Sequence, residues 1–188
     1  MINLTAVTAL GGPSARVDHF NGVTVTECPD WALASVTARR GQSGQTADKA
    51  QAMLGFALPD IGLSTGDGSL SAFWIGPEQW MIEAPHSSHE DLAAQLKTAL
   101  GDSASITEQT DGWVRFDLTG PGCTSVLERL SNANTATMKS ASITRTGIHH
   151  LGCLLSCRSS GDHYSIWGPR SAAQTLHHAI DTAAKSAL

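Results

Sequence analysis

Apolar positions along the chain alternate with polar ones in some stretches and recur every three to four residues in others. Val23-Thr24-Val25-Thr26 has period two, Cys28-Pro29-Asp30 interrupts it, and Trp31 to Val36 resumes an apolar run, which predicts a hairpin-like pair of strands. Residues 46–54 carry Ala47, Ala50, Met53 and Leu54 at helical spacing, with Gly55 as the stop. Residues 59–69 contain Pro59, Gly62, Gly66 and Gly68 and predict a loop. Beyond it, Leu70 to Ile75 and Gln79 to Glu83 read as strands joined by a Gly76-Pro77 turn. Ser87-Ser88-His89-Glu90 has the form of a capping box, ahead of a helical face of Leu92, Ala93, Leu96, Ala99 and Leu100.

The second half repeats one grammar. Residues 113–118 alternate, with Val114, Phe116 and Leu118 on one side and Trp113, Arg115 and Asp117 on the other, predicting a half-buried strand. Gly120-Pro121 then opens a helix with the stripe Cys123, Val126, Leu127 and Leu130. Residues 163–167 predict another strand, Gly168-Pro169 repeats the turn, and Ala172, Ala173, Leu176, Ala179, Ile180 and Ala183 line a last helix. Residues 148–157 read as a strand with Leu151, Cys153, Leu155 and Cys157 on one face. The fold class that follows is α+β, with mixed or antiparallel sheets packed by helices. Residues 1–16, with Gly11-Gly12-Pro13 near their end, predict an extended tail, and residues 17–188 one domain or two intimate lobes.

Composition narrows the function classes. With 188 residues and 41% hydrophobic content, the chain can bury a core without a disulfide or metal staple. Its net charge is -5 and Arg39-Arg40 is the only adjacent basic pair, so no phosphate-tracking patch exists and nucleic acid is not an expected partner. No apolar run approaches the roughly 20 residues that span a bilayer, and residues 1–12 lack a signal-peptide pattern, so a soluble cytoplasmic protein without a membrane partner is expected.

The common nucleotide, hydrolase and metalloprotease motifs are absent. Cys153 and Cys157, on a strand, lie about 13 Å apart, too far for one disulfide or one zinc ion. Cys123 falls on a helical stripe, so these three read as small hydrophobes, with a thiol or zinc protein (His149 or His150 included) as a rival. His149-His150 on a strand would point to opposite faces. On a helix, His177 reads as a flank residue and His178 as a solvated one. No catalytic, cofactor-binding or metal-binding residue is assigned. Asp111 and Asp117 flank the strand of Trp113, where they could orient a bound amine or serve as solvated strand-end residues.

All five tryptophans fall on predicted strands, and Trp113 shares its face with Arg115 and Asp117. An indole among charges is covered either by a helix of its own domain or by another polypeptide, because Trp and Arg concentrate in interface cores. Trp113, Arg115, Trp31 and Trp167 are therefore the candidate partner interface.

Three stretches carry a resemblance. Phe73-Trp74-Ile75-Gly76-Pro77-Glu78-Gln79-Trp80-Met81-Ile82, the run from Thr110 to Pro121, and Ser165-Ile166-Trp167-Gly168-Pro169-Arg170-Ser171-Ala172 together resemble the gamma subunit of heterotetrameric sarcosine oxidase, over about residues 20–185. Between Leu130 and Lys139 the chain departs from the Cys-Pro-containing segment common in that family. The resemblance implies a fold like the folate-binding domain of aminomethyltransferases, and with it the rival reading of a free-standing folate-binding one-carbon transferase, for which Asp111 is the one candidate carboxylate to hold the pterin or the amine. It also implies a non-catalytic small subunit assembled with alpha, beta and delta subunits, which hold FAD, FMN, NAD and tetrahydrofolate, in a complex that oxidatively demethylates sarcosine. An equivalent subunit of N-methylglutamate dehydrogenase is the near alternative. The Phe73 to Trp80 hairpin is then expected to be structural, with Phe73 and Ile75 buried one way and Trp74 the other.

Overall fold

The computed structural model describes residues 5–188. In chain order the elements are β1 (Val17–Phe20), β2 (Val23–Glu27), β3 (Trp31–Ala38), α1 (Ser43–Leu54), β4 (Ser64–Gly66), β5 (Ser71–Gly76), β6 (Gln79–Pro85), α2 (Leu92–Leu100), β7 (Ala104–Glu108), β8 (Trp113–Thr119), α3 (Cys123–Leu130), β9 (Ile143–Ile148), β10 (Leu151–Ser159), β11 (His163–Pro169) and α4 (Ala173–Ala187). They form two antiparallel sheets, ordered β1-β2-β8-β11-β10-β9 and β4-β5-β6-β3-β7. The fold is α+β, as the periodicities predict.

The chain divides into two compact units. One runs from Asp30 to Thr110, and the other combines the described residues up to Pro29 with Asp111–Leu188. In the continuous unit, Ala32, Ala34, Val36, Ala72, Ile82 and Ala84 of the five-stranded sheet share a core with Leu92, Leu96 and Leu100 of α2 and Ala50 and Leu54 of α1. The three α2 leucines, four residues apart and at most 2% exposed, stabilise that face by about 1.5–3 kcal/mol each. Gly55 ends α1 in the left-handed conformation, and its N–H donates to the Gln51 carbonyl. Trp74 and Trp80 face each other across β5 and β6 and are half-buried, while Phe73 and Met81 point the other way and are buried.

In the discontinuous unit, α3 and α4 cover one face of the six-stranded sheet, where Val126, Leu127, Leu176 and Ile180 meet Phe116, Leu118, Leu155 and Ile166. The two strand-Gly-Pro-helix passages are neighbours here: β8 pairs antiparallel with β11, and α3 and α4 contribute to the same core. Gly120 (φ 119) is one reason that passage is compact, because a Cβ there would lie well inside contact with the Gly22 carbonyl oxygen.

Several expectations are corrected. β2 and β3 are not a hairpin but belong to different sheets. β2 pairs instead with β1 across Asn21-Gly22, and its ladder with β8 ends as the Cys28 N–H donates to the Arg115 carbonyl; Pro29, which lacks an N–H, cannot continue it. The capping box does not form: Ser87 and Ser88 lie in a separate short turn, where the Ser88 hydroxyl donates to the Pro85 carbonyl, and α2 begins after Asp91 with no side-chain cap. β4 lies inside the expected loop and pairs with β5. The expected strand over 148–157 is two strands, since His149 and His150 form the turn between β9 and β10, both at positive φ (47° and 66°). A two-residue turn of this form favours Asn-Gly; a non-glycine residue in the left-handed region costs about 1–2 kcal/mol. Residues 5–16 contain no helix or strand, yet Ala9 and Leu10 pack against the core and the Thr8 N–H donates to the Gly12 carbonyl.

Gly120→Ala is expected to lower stability by about 3 kcal/mol, a fall in Tm of roughly 6–12 °C. Gly147→Ala, at a site open to solvent on β9, is expected to be close to neutral, and calorimetry of the pair checks the contrast.

Candidate functional site

Charge on the second face of the six-stranded sheet is concentrated around Asp117. On β8, Trp113, Arg115 and Asp117 share the side away from Phe116 and Leu118, as alternation requires. The β8–β11 register places Ser165 opposite Asp117 and Trp167 opposite Arg115. Arg115 therefore holds Asp117 through two bonds, Nε to Oδ1 at 2.8 Å and Nη2 to Oδ2 at 2.7 Å. Ser165 Oγ donates to Oδ1 at 2.7 Å, and His163 Nε2 lies 3.4 Å from Oδ2. Arg158 on β10 donates from Nε to Ser165 Oγ at 3.0 Å. The guanidinium carbons of Arg115 and Arg158 lie 5.5 Å and 5.1 Å from the Trp167 ring centre, within cation–π range.

Burial alone would push the Asp117 carboxyl up, but hydrogen bonds from His163, Arg115 and Ser165 and the Arg115 charge outweigh it and hold the group well below the usual carboxylate range. A carboxylate with both oxygens committed in this way is a brace for its neighbours and a poor proton acceptor.

The four residues proposed as a partner surface separate in the structure. Trp167 is 1% exposed and Arg115 8%, so both are buried within the chain and neither is an open contact surface. Trp113 is half-buried at the start of β8 opposite Pro169. Trp31, in the other unit, is half-buried opposite Pro85. β8 is half-buried as expected, with Val114, Phe116 and Leu118 buried and Trp113 and Asp117 partly exposed on the other face; Arg115 alone departs, withdrawn from water because Asp117 compensates its charge. Asp111 sits in an exposed turn, its carboxylate 3.8 Å from Arg170 Nε.

Two further charge clusters were not singled out in the sequence. Glu27, 2% exposed, accepts the Leu10 N–H at 3.0 Å and the Arg16 N–H at 3.2 Å, tethering the N-terminal segment. Its signal was legible, since period two places Glu27 on the face of Val23 and Val25. Asp18 lies 2.7 Å from His177 Nε2 and accepts Arg16 through both oxygens; the Arg16 hydrogen bond chiefly holds its carboxyl below the ordinary range. His177 is thus a tie between α4 and β1, a correction of its reading as a helix-flank residue.

All four cysteines are free thiols. Burial pushes Cys28 and Cys123 up to about 12 and Cys153 up to about 11, and raises Cys157 as well. Among the described residues no three His, Cys, Asp or Glu side chains are grouped to hold a metal ion. No helix among them is long and apolar enough to cross a membrane.

No protein-family model and no curated sequence matches the chain. Solved structures do. A chain of the heterotetrameric sarcosine oxidase from Corynebacterium sp. U-96, in complex with pyrrole 2-carboxylate, superposes with a TM-score of 0.77 at 20% identity, covering 90% of this chain and 87% of that one. Aminomethyltransferase T of the glycine cleavage system from Bartonella henselae gives 0.59 at 16% identity over 82% of this chain, which spans only 44% of that protein. The chain has the fold shared by these proteins.

Asp117→Asn is expected to cost about 3 kcal/mol at pH 7, because Arg115 is left buried without its counter-charge. A depressed carboxyl adds stability above its unfolded value, about 3.9, and loses it as pH falls through the lower folded value. The gap between wild type and variant in urea unfolding should therefore narrow below about pH 4. Thiol titration at pH 8 should find the buried Cys123, Cys153 and Cys157 unreactive in the native chain and all four cysteines reactive after denaturation; labelling of more than one thiol in the native chain within minutes would contradict the burial assignment.

Proposed function

We propose that this chain is the small, gamma-type subunit of a heterotetrameric sarcosine oxidase, contributing to assembly of the complex while other subunits carry the chemistry. The observation that carries the reading is reciprocal coverage: 90% of this chain aligns with 87% of a chain from such an enzyme at a TM-score of 0.77. The whole fold is matched in both directions, whereas the likeness to the aminomethyltransferase reaches less than half of that protein. The sequence resemblance at residues 73–82, 110–121 and 165–172 points the same way.

On this reading the partners are alpha, beta and delta subunits, and FAD, FMN, NAD and tetrahydrofolate bind there and not to this chain. The compartment is the cytoplasm. A tetrahydrofolate held by this chain through Asp111 does not fit the residues present: that carboxylate side chain is 86% exposed and its nearest charged neighbour is Arg170. A folate-binding transferase of its own is therefore the weaker reading. Sarcosine and N-methylglutamate remain the two substrate alternatives for the complex.

Co-expression with the chains encoded beside it, followed by sizing, tests the proposal. The expected outcome is co-elution in a larger assembly, with demethylation of sarcosine or N-methylglutamate lost or reduced when this chain is omitted. A chain that stays monomeric beside its neighbours, or one that oxidises either amine unaided, overturns it.

A further inference from the structure

The helical side of the discontinuous unit carries a second feature, independent of the subunit reading. We infer that the groove bounded by α3, α4 and the β9–β10 turn is a binding site for a small, multiply charged oxyanion. The groove, open to solvent and about 670 Å³ in volume, is lined by the exposed Arg129 of α3, His178, Thr182 and Ser186 on successive turns of α4, and His149 of the turn. Each of these side chains carries an N–H or O–H group able to donate, and no carboxylate lines the groove. Its volume exceeds what one phosphate fills and suits a compact organic polyanion.

None of these donors is bonded to a carboxylate among the described residues. Arg16, Arg115, Arg170 and Lys185 all have carboxylate partners. Arg129 has none among the described residues; its Nη1 donates to Ser186 Oγ at 3.0 Å, which bridges α3 to α4 and leaves its other N–H groups for a ligand. Neither His149 nor His178 has a hydrogen-bond partner among the described residues, and the one ring contact is between His149 and His150, with centres 5.9 Å apart. The nearest acid on α4, Asp181, is taken by Lys185 at 2.8 Å.

Backbone strain points to the same place. His149 and His150 occupy the left-handed region at both central positions of a hairpin turn, where Asn-Gly would be relaxed. Conformations of this kind gather where a side chain is held for binding. Here the strained turn is what brings His149 to the groove, across from Arg129 and His178. A planar guanidinium with imidazole and hydroxyl donors around it matches phosphate or carboxylate oxygens by bidentate and single hydrogen bonds.

The test is a titration of the full chain with pyrophosphate and, separately, citrate, followed by the imidazole proton resonances. Expected are saturable shifts for His149 and His178 but not for His19, with affinity weakened about tenfold or more by Arg129→Gln, as loss of a charged bond requires. His149→Asn combined with His150→Gly relaxes the turn, so Tm should rise while affinity falls. Saturation with pyrophosphate alone identifies a phosphate ligand, with citrate alone a polycarboxylate; either supports the inference. Flat titrations with both, equal drift of every histidine with ionic strength, or unchanged affinity in Arg129→Gln overturns it.

Discussion

A carboxylate withdrawn from water must be met by donors, and Asp117 sits on β8, in the interior of a six-stranded sheet where only correct strand pairing supplies them. Arg115 comes from its own strand two residues away; Ser165 and His163 come from β11. A slip of one residue between β8 and β11 would remove Ser165 from opposite Asp117 and turn one strand's apolar set to the wrong face. Burying such a pair yields little net stability, since desolvation consumes most of the attraction, but the wrong register leaves both charges unpaired. The network thus acts on specificity. Gly168 and Pro169, expected as a turn, are the last two ladder positions of β11; because β8 and β11 each lead through a short connection into a helix, their register also places α3 beside α4.

The remaining charges in this unit work mostly as short-range ties. Glu27 closes the N-terminal segment onto β2, and Asp18 joins β1 to His177 of α4. Against that economy Arg129, bonded only to a serine hydroxyl, is the exception on the same helices, and the histidine turn beside it keeps a backbone geometry that local chemistry disfavours. Glu78 and Ala141 also occupy the left-handed region, but only at the histidine turn does that geometry adjoin the groove of Arg129.

What the sequence revealed was periodicity, and what it concealed was pairing. The α2 leucine stripe, Gly55 as a stop, the Trp74–Trp80 hairpin and the aromatic residues on strands were all legible, because burial and backbone period imprint locally. That β2 pairs with β1, and that β3 belongs to another sheet, was hidden because Cys28-Pro29-Asp30 reads as a hairpin turn as readily as an exit from the ladder. β4, β7 and β9 are short or largely polar and offer weak alternation. The His149-His150 turn was missed because neither residue signals a turn, and the real signal there is conformational strain. For the site, alternation put Trp113, Arg115 and Asp117 on one face, but Ser165 and Arg158 enter only through tertiary register.

The fate of the tryptophans bears on how a subunit of this fold would meet its neighbours. An aromatic beside a buried Arg is a good anchor for a partner only while some of its area remains open, and Trp167, with two guanidinium groups against it, has spent nearly all of its area inside the chain. Trp31 and Trp113 retain exposed area at strand starts opposite Pro85 and Pro169, where no N–H from the proline continues the ladder. Such positions offer a rigid ring beside backbone that cannot pair further, a combination that permits docking by side-chain contact without inviting strand addition. Trp167 and Arg115 thus hold the sheet together, whereas Trp31 and Trp113 keep partly open rings at strand starts.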